Sequence, residues 1–441
     1  MRVGFLGLGT VGQAVVRLLH EERERLAANG LALEPVRALV RDTARPRAVP
    51  AALELTADPA RVLDAPDIDL VVEVMGGVEP ATSYMLRALR AGRPVVTANK
   101  EAVAHRGKDL LEVAAEAGVP LRFEASVAGA IPIVRALKES LAGDRVTEIA
   151  GIVNGTSNYV LGLMEEGQDL EAAVRMARER GYAEPDPTRD LDGSDAACKL
   201  AILASIAFSA RVRPEQVGTC GIQMVSREDL RWGREMGYRL KLLALARRTE
   251  AGIEAHVRPT FLPVSHPLAG VGGVTNALLV RGERCGDLVF QGPGAGGDAT
   301  ATAVVGDLLE IARRRLVPGA GALGAGAAEA SATLGARVRE GPYCTCRDQV
   351  EVVPPHRCVT AAYLHLEVAD RPGVLAQVAG CLAAHQVSIA EALQKARGEG
   401  PVPVLFITHP SPWGALEAAV KEIAGLPVVA RVAGLMAVLG R

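Results

Sequence analysis

The sequence predicts an α/β protein with three domains: an N-terminal doubly wound parallel sheet, a second α+β domain, and a smaller C-terminal βαββαβ module. Short apolar runs alternate with helical patterns over the first 130 residues, longer helical segments follow to about residue 310, and strands and helices alternate again after about residue 358. At roughly 150 residues per domain, the chain has room for about three domains. We expect domains over 1–130, 131–315 and 358–441, with a linker over 316–357.

The strands of the N-terminal domain predict its topology. The short apolar runs that are spaced by helical patterns are Val3–Leu6, Val36–Val40, Leu70–Met75, Pro94–Thr97 and Leu121–Ala125. Strands that alternate with helices are joined by crossover connections, which give a mostly parallel sheet covered on both faces.

The other two domains are predicted from the same kind of pattern. The second domain is expected to contain long helices over 170–180, 195–209 and 227–248. The Gly- and Ala-rich stretch 316–342 has few bulky apolar side chains, so we expect a loosely packed connector. The C-terminal module is expected to run strand 361–368, helix 374–385, strand 387–393, strand 402–408, helix 413–424 and strand 428–438.

Composition and charge exclude several classes of function. Lys and Arg number 49 against 51 Asp and Glu, so the chain lacks the basic field that nucleic-acid binding requires. The longest apolar run, 200–210, is shorter than the roughly 20 residues that span a bilayer. No secretory pattern follows Met1, and the seven scattered cysteines favour reduced thiols. We expect a cytoplasmic protein with no nucleic-acid or membrane partner.

A glycine-rich turn follows the first predicted strand. Gly7, Gly9 and Gly12 are spaced as in the turns that bind a pyrophosphate, where the helix opened by Thr10 and Val11 supplies oriented N–H groups. The strand, turn and helix context favours a dinucleotide cofactor. A purely structural glycine turn is the alternative.

Residues after the second strand bear on the choice of cofactor. Arg41 stands where an adenosine ribose would lie, and Arg45 and Arg47 follow it. A guanidinium suits a 2′-phosphate, whereas Asp42 would suit a free 2′-hydroxyl. We favour NADP over NAD, while a solvated arginine loop with no cofactor role stays open.

Two lysines are candidate functional groups. Lys100 follows a strand at the sheet edge where open α/β folds bind ligands, although a surface salt bridge is an equal possibility. Lys199 lies four residues after Asp195, so both project from one helical face, as in an ordinary ion pair. An acidic, proline-rich loop over 181–195 leads into the helix that carries Lys199. The apolar helix after Lys199 suggests that its polar first turn points into a cleft.

Several motifs together resemble homoserine dehydrogenase over about residues 1–310. They are Gly7-x-Gly9-x-x-Gly12, Thr97-Ala98-Asn99-Lys100-Glu101, Glu124 to Gly129, Asn154 to Tyr159, Gly181 to Pro187 continuing through Asp195 to Lys199, His266 to Ala269, and Gly292 to Gly296. The segment Asp370-Arg371-Pro372-Gly373-Val374-Leu375, with Val387-Ser388-Ile389, resembles an ACT domain. The resemblance implies a Rossmann fold for the first domain.

The resemblance also implies an activity, the reversible reduction of L-aspartate 4-semialdehyde to L-homoserine by NAD(P)H, on the route to threonine, methionine and isoleucine. It assigns Lys199 as the proton donor, Lys100 as the lysine beside cofactor and substrate, and Asp195 as a supporting carboxylate. The other positions that it carries over are Glu184 for the substrate amino group, Asp190 as a second supporting carboxylate, Gly155, Thr156 and Tyr182 as substrate contacts, and Glu124, Val127, Gly129 and Ile131 as a loop for a monovalent cation such as Na⁺.

The implied chemistry agrees with the residue types. Hydride transfer to an aldehyde carbon generates an alkoxide, and a positioned ammonium group stabilises that charge and donates the proton. We expect Lys100 and Lys199 to converge on one carbonyl oxygen, although the sequence does not say which of them releases the proton. The appended ACT-like module suggests threonine as an effector, and we expect a homodimer or homotetramer.

Other interpretations stay open. Cys344, Cys346, His356 and Cys358 match no common zinc spacing, so we expect free thiols, with a metal site or a redox bond as alternatives. An acylating semialdehyde dehydrogenase needs a nucleophilic cysteine, and Cys198 is a poor candidate on a helix predicted to be buried. A non-catalytic amino-acid sensor is the rival from another class.

Overall fold

The computed structural model describes residues 1–316, 350–394 and 400–440, which form two compact units. The first unit contains residues 1–145, 205–213 and the described part of 292–349. The second contains residues 146–204, 214–291 and the described part of 350–441. No helix in the described ranges is long and apolar enough to cross a membrane.

A six-stranded parallel sheet forms the centre of the first unit, as predicted. Its strands are β1 (Arg2–Leu6), β2 (Glu34–Leu39), β3 (Glu54–Thr56), β4 (Leu70–Glu73), β5 (Val95–Thr97) and β6 (Leu121–Arg122), in the order β3-β2-β1-β4-β5-β6. The chain runs outward in both directions from β1, so the carboxyl edge beside β1 and β4 is the switch point at which such sheets bind ligands. The sequence pattern missed β3, which is only three residues long.

Helices connect these strands and complete the core. They are α1 (Thr10–Glu21), α2 (Arg23–Ala28), α3 (Ala60–Leu63), α4 (Ala81–Arg90), α5 (Lys100–Ala117) and α6 (Ile133–Arg135), with a π-helical turn over Ala136–Ser140. The later helix α12 (Gly297–Leu316) also belongs to this unit, because its Ala301, Val304 and Leu308 share a buried cluster with Val3 and Phe5. The sequence-based boundaries placed this helix in the second domain.

The second unit is built on a mixed sheet of eleven strands. The strands before the C-terminal module are β7 (Val146–Ile152), β8 (Gly218–Thr219), β9 (Tyr238–Thr249), β10 (Gly252–Pro263), β11 (Thr275–Gly282) and β12 (Gly286–Pro293). Strands β9 and β10 pair antiparallel over their full length, from Thr249 with Gly252 to Tyr238 with Pro263. The helices are α7 (Gly155–Glu165), α8 (Leu170–Glu179), α9 (Thr188–Leu191), α10 (Ser194–Ala207) and α11 (Arg227–Glu235).

The predicted helix over 227–248 is wrong. Helix α11 ends at Glu235, Gly237 takes a left-handed conformation with φ of 84°, and β9 begins at Tyr238. Residues 240–246 of β9 are all buried and, apart from Lys241, apolar, so the strand lacks the alternation of apolar and polar residues. Periodicity alone does not separate such a strand from a buried helix.

The C-terminal module has the predicted βαββαβ order. It consists of β13 (Val359–Ala369), α13 (Val374–Ala384), β14 (Ile389–Gln394), β15 (Pro401–Thr408), the short β16 (Ser411–Pro412), α14 (Trp413–Ala424) and β17 (Val429–Val438). Residues of both helices share one buried cluster with the strands. Strand β17 pairs with β10 through Thr260 with Ala437 and Phe261 with Val438, so the module extends the sheet of the second unit.

The described end of the predicted linker is ordered against this sheet. Ile253 of β10 donates its N–H to the carbonyl of Glu351, and Val353 donates to the carbonyl of Ile253, each at 2.8 Å. Residues 317–349, which include Cys344 and Cys346, lie outside the described residues.

Candidate active site

The glycine turn between β1 and α1 has the geometry that a pyrophosphate needs. Gly7 has φ of 96°, and a Cβ atom there would lie 2.9 Å from the carbonyl oxygen of Val74. A Cβ on Gly12 would lie 2.9 Å from the Gly7 oxygen, whereas one on Gly9 would meet nothing within 4 Å. Helix α1 begins at Thr10, so the N–H groups of its first turn, including that of Val11, are available to an anion.

The loop after β2 leaves Arg41 accessible. The carboxylate of Asp42 accepts a hydrogen bond from the N–H of Ala44 at 2.8 Å, and Arg47 donates to the carbonyls of Asp42 and Arg45 at 2.9 and 3.0 Å. Arg41 is exposed, and none of the described residues forms a hydrogen bond or salt bridge with it. The hydrogen bonds of Asp42 and Arg47 therefore shape the loop.

Lys100 lies at the carboxyl edge of the parallel sheet, where the sequence placed it. It is the half-buried first residue of α5, directly after β5. Asn99 caps this helix, because its side-chain oxygen accepts from the N–H of Ala102 at 3.1 Å. The backbone conformation around Lys100 is therefore set by its preceding residue.

In the second unit, Lys199 and Asp195 form a buried polar pair on α10. Lys199 Nζ lies 2.7 Å from Asp195 Oδ2, with side-chain exposures of 12% and 7%, and also donates to the carbonyl of Val153 at 2.7 Å. The burial distinguishes this pair from an ordinary exposed (i, i+4) contact. The third N–H of Lys199 has no acceptor among the described residues.

Asn154 connects this pair to a second carboxylate. Its side-chain nitrogen donates to Asp190 Oδ1 at 2.7 Å and to Asp195 Oδ2 at 2.9 Å. Its side-chain oxygen caps α7 by accepting from the N–H of Ser157 at 2.8 Å. The family resemblance assigns no role to Asn154, although an Asn directly before a Gly-Thr-Ser helix start is a typical capping signal.

The other predicted substrate contacts are only partly brought together. Gly155 begins α7, and a Cβ there would lie 2.6 Å from the carbonyl oxygen of Val274. The Thr156 hydroxyl donates to the carbonyl of Tyr182 at 2.7 Å, and the Tyr182 side chain is exposed. Glu184 is also exposed, and it forms no hydrogen bond or ion pair with Asp190, Asp195 or Lys199.

A buried lysine that the sequence analysis missed holds the loop behind Gly155. Lys241 donates to the carbonyl of Val271 at 2.6 Å and to Asn158 Oδ1 at 3.2 Å. The Asn158 amide in turn donates to the carbonyl of Gly273 at 3.0 Å. Burial lowers the pKa of Lys241. Lys241 was overlooked because it lies in β9, within the segment that the sequence pattern assigned to a helix.

The predicted cation loop has two main-chain oxygens that suit a cation. Val127 and Gly129 are buried, and no hydrogen bond among the described residues reaches their carbonyl oxygens. The carbonyls of Glu124 and Ile131 accept from the N–H groups of Val127 and Ile133. A buried carbonyl without a donor is costly, and carbonyl oxygens are ligands for hard cations, so the loop fits a monovalent ion.

The Glu124 side chain forms hydrogen bonds with the start of α6. Its carboxylate accepts the N–H groups of Val134 and Arg135 at 2.7 and 2.8 Å, and burial raises its pKa. The side chain therefore anchors α6, so any cation would be held mainly by main-chain oxygens.

Of the predicted cluster of cysteines and His356, only His356 and Cys358 lie within the described residues. Within the described residues, no cluster of three or more His, Cys, Asp or Glu side chains could hold a metal ion. Cys358 and Cys198 are buried, whereas Cys220 and Cys285 are exposed, and none of the four forms a disulfide within the described residues.

Three family profiles match the chain. The profile described as homoserine dehydrogenase matches residues 132–309, that of the homoserine dehydrogenase NAD-binding domain matches 7–124, and that of the ACT domain matches 362–426. These matches follow the order of the elements described above.

Relatives and solved structures agree with the profiles. The homoserine dehydrogenase of Mycobacterium bovis is 42% identical over 455 aligned positions, which cover 99% of this chain and 97% of that protein. The crystal structure of a homoserine dehydrogenase from Thiobacillus denitrificans matches with a TM-score of 0.89 and 38% identity, covering 100% of this chain and 98% of that one. A hyperthermophilic archaeal homoserine dehydrogenase in complex with NADPH matches with a TM-score of 0.60 and 25% identity, covering 71% and 98%.

Proposed function

Because the chain belongs to the homoserine dehydrogenase family, we propose that it catalyses the reversible reduction of L-aspartate 4-semialdehyde to L-homoserine by NADPH or NADH. The observation that carries this proposal is the buried pair of Lys199 and Asp195, held by Asn154 and by the carbonyl of Val153. An ammonium group fixed in this way is a positioned proton donor.

In this proposal the glycine turn binds the cofactor, and the two lysines act on the carbonyl oxygen of the substrate. Gly7, Gly9, Thr10, Val11 and Gly12 would hold the pyrophosphate of the cofactor, which supplies a hydride to the aldehyde carbon when bound. Lys199 would then donate a proton to the oxygen that gains negative charge. Lys100 would stabilise that charge from the carboxyl edge of the parallel sheet.

Fixed carboxylates prepare Lys199 for this step. Asp195 lies 2.7 Å from Nζ and, together with the carbonyl of Val153, fixes the direction of the remaining N–H. Asn154 fixes Asp195 in turn and links it to Asp190. Glu184, Asp190, Gly155, Thr156 and Tyr182 are the proposed substrate contacts, with Glu184 selecting the α-ammonium group.

NADP is the proposed cofactor in preference to NAD. The support is the exposed Arg41 at the end of β2, with Asp42 engaged in its own turn. A guanidinium without a protein partner suits a 2′-phosphate. The archaeal relative whose structure contains NADPH gives independent support. A monovalent cation such as Na⁺ at the carbonyls of Val127 and Gly129 belongs to the same proposal.

Regulation and assembly form the last part of the proposal. The ACT module places Gly373, with φ of 89°, directly before α13, so the N–H groups of this helix start would meet an amino-acid carboxylate. We expect threonine to act there and the enzyme to work as a cytoplasmic homodimer or homotetramer. Unchanged rates up to saturating threonine would remove the effector from the proposal.

One assay tests the central activity. The full chain is mixed with aspartate semialdehyde and either NADPH or NADH, with and without Na⁺, and the loss of the reduced cofactor is followed by absorbance. We expect oxidation of NADPH at a higher kcat/KM than NADH. Failure to oxidise either cofactor with this substrate would favour a non-catalytic amino-acid sensor.

A further inference from the structure

A buried carboxylate that no assignment above uses lies at the cofactor edge of the parallel sheet. Glu73 is the last residue of β4 and is completely buried. Its carboxylate accepts hydrogen bonds from the N–H of Met75 at 2.7 Å, the hydroxyl of Thr97 at 2.6 Å and the side-chain nitrogen of Asn99 at 3.4 Å. None of the described lysine, arginine or histidine side chains forms an ion pair with it.

These hydrogen bonds join the ends of two neighbouring strands. Through Met75, Glu73 holds the turn that follows β4, in which Gly76 and Gly77 have φ of 77° and 74°. Through Thr97, it holds the end of β5. The carboxylate therefore fixes two segments at the switch point of the sheet, where the cofactor is expected to bind.

The same network reaches Lys100 through Asn99. The Asn99 N–H donates to the Thr97 hydroxyl oxygen at 2.9 Å, and its side-chain nitrogen donates to the carbonyl of Gly77 at 2.7 Å. Its side-chain oxygen caps α5, whose first residue is Lys100. Glu73, Thr97 and Asn99 thus fix the peptide from which Lys100 projects.

The hydrogen bonds to Glu73 offset part of the free-energy cost of burying an acidic side chain. Burial raises the pKa of Glu73, while hydrogen bonds from Thr97, Met75 and Asn99 oppose the rise. An uncharged side chain would avoid this cost but would lack acceptors for several donors at once.

We propose that Glu73 is a positioning residue for the reduction, which fixes Lys100 and the turn over 74–77 relative to each other. This inference rests on the proposed function, because it takes Lys100 to be a group beside the reacting carbonyl. A displacement of about 1 Å at such a group lowers the rate by roughly 100-fold, so a modest loosening of the network should be visible in kcat.

The experiment compares Glu73→Gln and Thr97→Val with the matched control Thr97→Ser in the full chain. Thr97→Val removes the hydroxyl that joins Glu73 to Asn99, whereas Thr97→Ser keeps it. We expect Glu73→Gln and Thr97→Val to lower kcat by about 10- to 100-fold with NADPH affinity changed less than about 3-fold, and Thr97→Ser to retain most of the turnover. Thr97→Val keeps the test available if Glu73→Gln does not fold.

A double-mutant cycle separates positioning from general stability. If Glu73 acts through Lys100, Glu73→Gln should cost little additional kcat in a Lys100→Met background. Fully multiplicative losses, or wild-type kcat for both Glu73→Gln and Thr97→Val, would overturn the inference.

Hydrogen exchange tests the hydrogen-bond network of Glu73 without relying on the proposed activity. Peptides covering 75–77 and 99–103 should exchange faster in Glu73→Gln, whatever the enzyme acts on. Faster exchange with wild-type turnover for Lys100→Met would show that the proposed role of Lys100 is wrong. Unchanged exchange would refute the network itself.

Discussion

Lys199 Nζ and Asp195 Oδ2 lie 2.7 Å apart on the buried first turns of α10. The same carboxylate oxygen accepts from Asn154 at 2.9 Å, and the same ammonium group donates to the carbonyl of Val153 at 2.7 Å. Each member of the pair is therefore fixed from outside its own helix. These two contacts restrict the rotamers of Lys199 more than those of a surface lysine are restricted.

Lys199→Ala should remove the proton donor. We expect kcat to fall by about 10²- to 10⁴-fold with NADPH affinity close to that of the wild type, measured by steady-state kinetics and by NADPH fluorescence. The matched control is Lys108→Ala, which removes a partly exposed (i, i+4) lysine that lies 3.6 Å from Glu112. Wild-type turnover of Lys199→Ala would contradict the proton-donor role.

Arg41→Ala should change the selectivity for the cofactor. NADH lacks the 2′-phosphate that the Arg41 guanidinium would contact. The variant should therefore raise KM for NADPH by roughly 10-fold or more and change KM for NADH far less. Arg23→Ala, which alters an exposed arginine on α2, serves as the control. Equal weakening of both cofactors would show that Arg41 does not read the 2′-phosphate.

Asp229→Asn should loosen the ACT module. Asp229 is completely buried, and its carboxylate accepts hydrogen bonds from the hydroxyls of Ser226 at 2.7 Å and Tyr363 at 3.1 Å. The same carboxylate lies 2.8 Å from His365 Nδ1. Burial and the neighbouring carboxylate raise the pKa of Tyr363, which therefore keeps its proton and donates. We expect a loss of about 2–4 kcal/mol in the free energy of unfolding, measured by urea denaturation.

Ser226→Ala is the control for this prediction. It removes the cap of α11 and leaves both contacts of Asp229 with β13 in place. Loss of a helix cap costs about 1 kcal/mol. If both variants lose the same stability, the contacts between Asp229 and the ACT module contribute nothing measurable.

His256→Phe should make the protein less sensitive to acid. Burial lowers the pKa of His256 well below its usual 6.5, and its Nδ1 has no hydrogen-bond partner in the described chain. Below pH 6.5 the unfolded chain gains a proton that the folded chain does not, so this histidine destabilises the fold as the pH drops.

The sign of the effect sets the measurement. Relative to the wild type, His256→Phe should gain about 1.4 kcal/mol of unfolding free energy between about pH 7.5 and 5.5. Denaturant titrations at the two pH values give this difference, and other titrating groups cancel because both proteins carry them. A difference that does not change with pH would show that His256 titrates normally in the folded protein.

The agreement between sequence and structure is best where a signal is local. The glycine turn was predicted correctly because Gly7 and Gly12 leave no room for a side chain, and that constraint acts on immediate neighbours. The helix over Trp413–Ala424 was predicted to the residue, since its amphipathic pattern lies entirely within it. The prediction for residues 238–248 was wrong because both faces of β9 are buried over most of its length, which removes the alternation of apolar and polar residues that identifies a strand.

The residues of the candidate site stay predictions, and most of the contacts around them could not be predicted from the sequence. Asp195 and Lys199 lie four residues apart on one helix, so the sequence predicted that they share a helical face. Their link to Asn154, 41 residues from Asp195, was not. Glu73 was also invisible, because its partners Thr97 and Asn99 are 24 and 26 residues away.

The sequence by itself determined the order of the elements in the C-terminal module, most strands of the parallel sheet, the position of the glycine turn and the shared helical face of Asp195 and Lys199. These features depend on residues within a few positions of each other. Only the tertiary structure decided that α12 packs on the parallel sheet, that β17 pairs with β10, and that the Lys199 ammonium group is buried between an aspartate and a carbonyl oxygen. Burial and hydrogen bonding depend on which distant segments meet, and no local pattern carries that information.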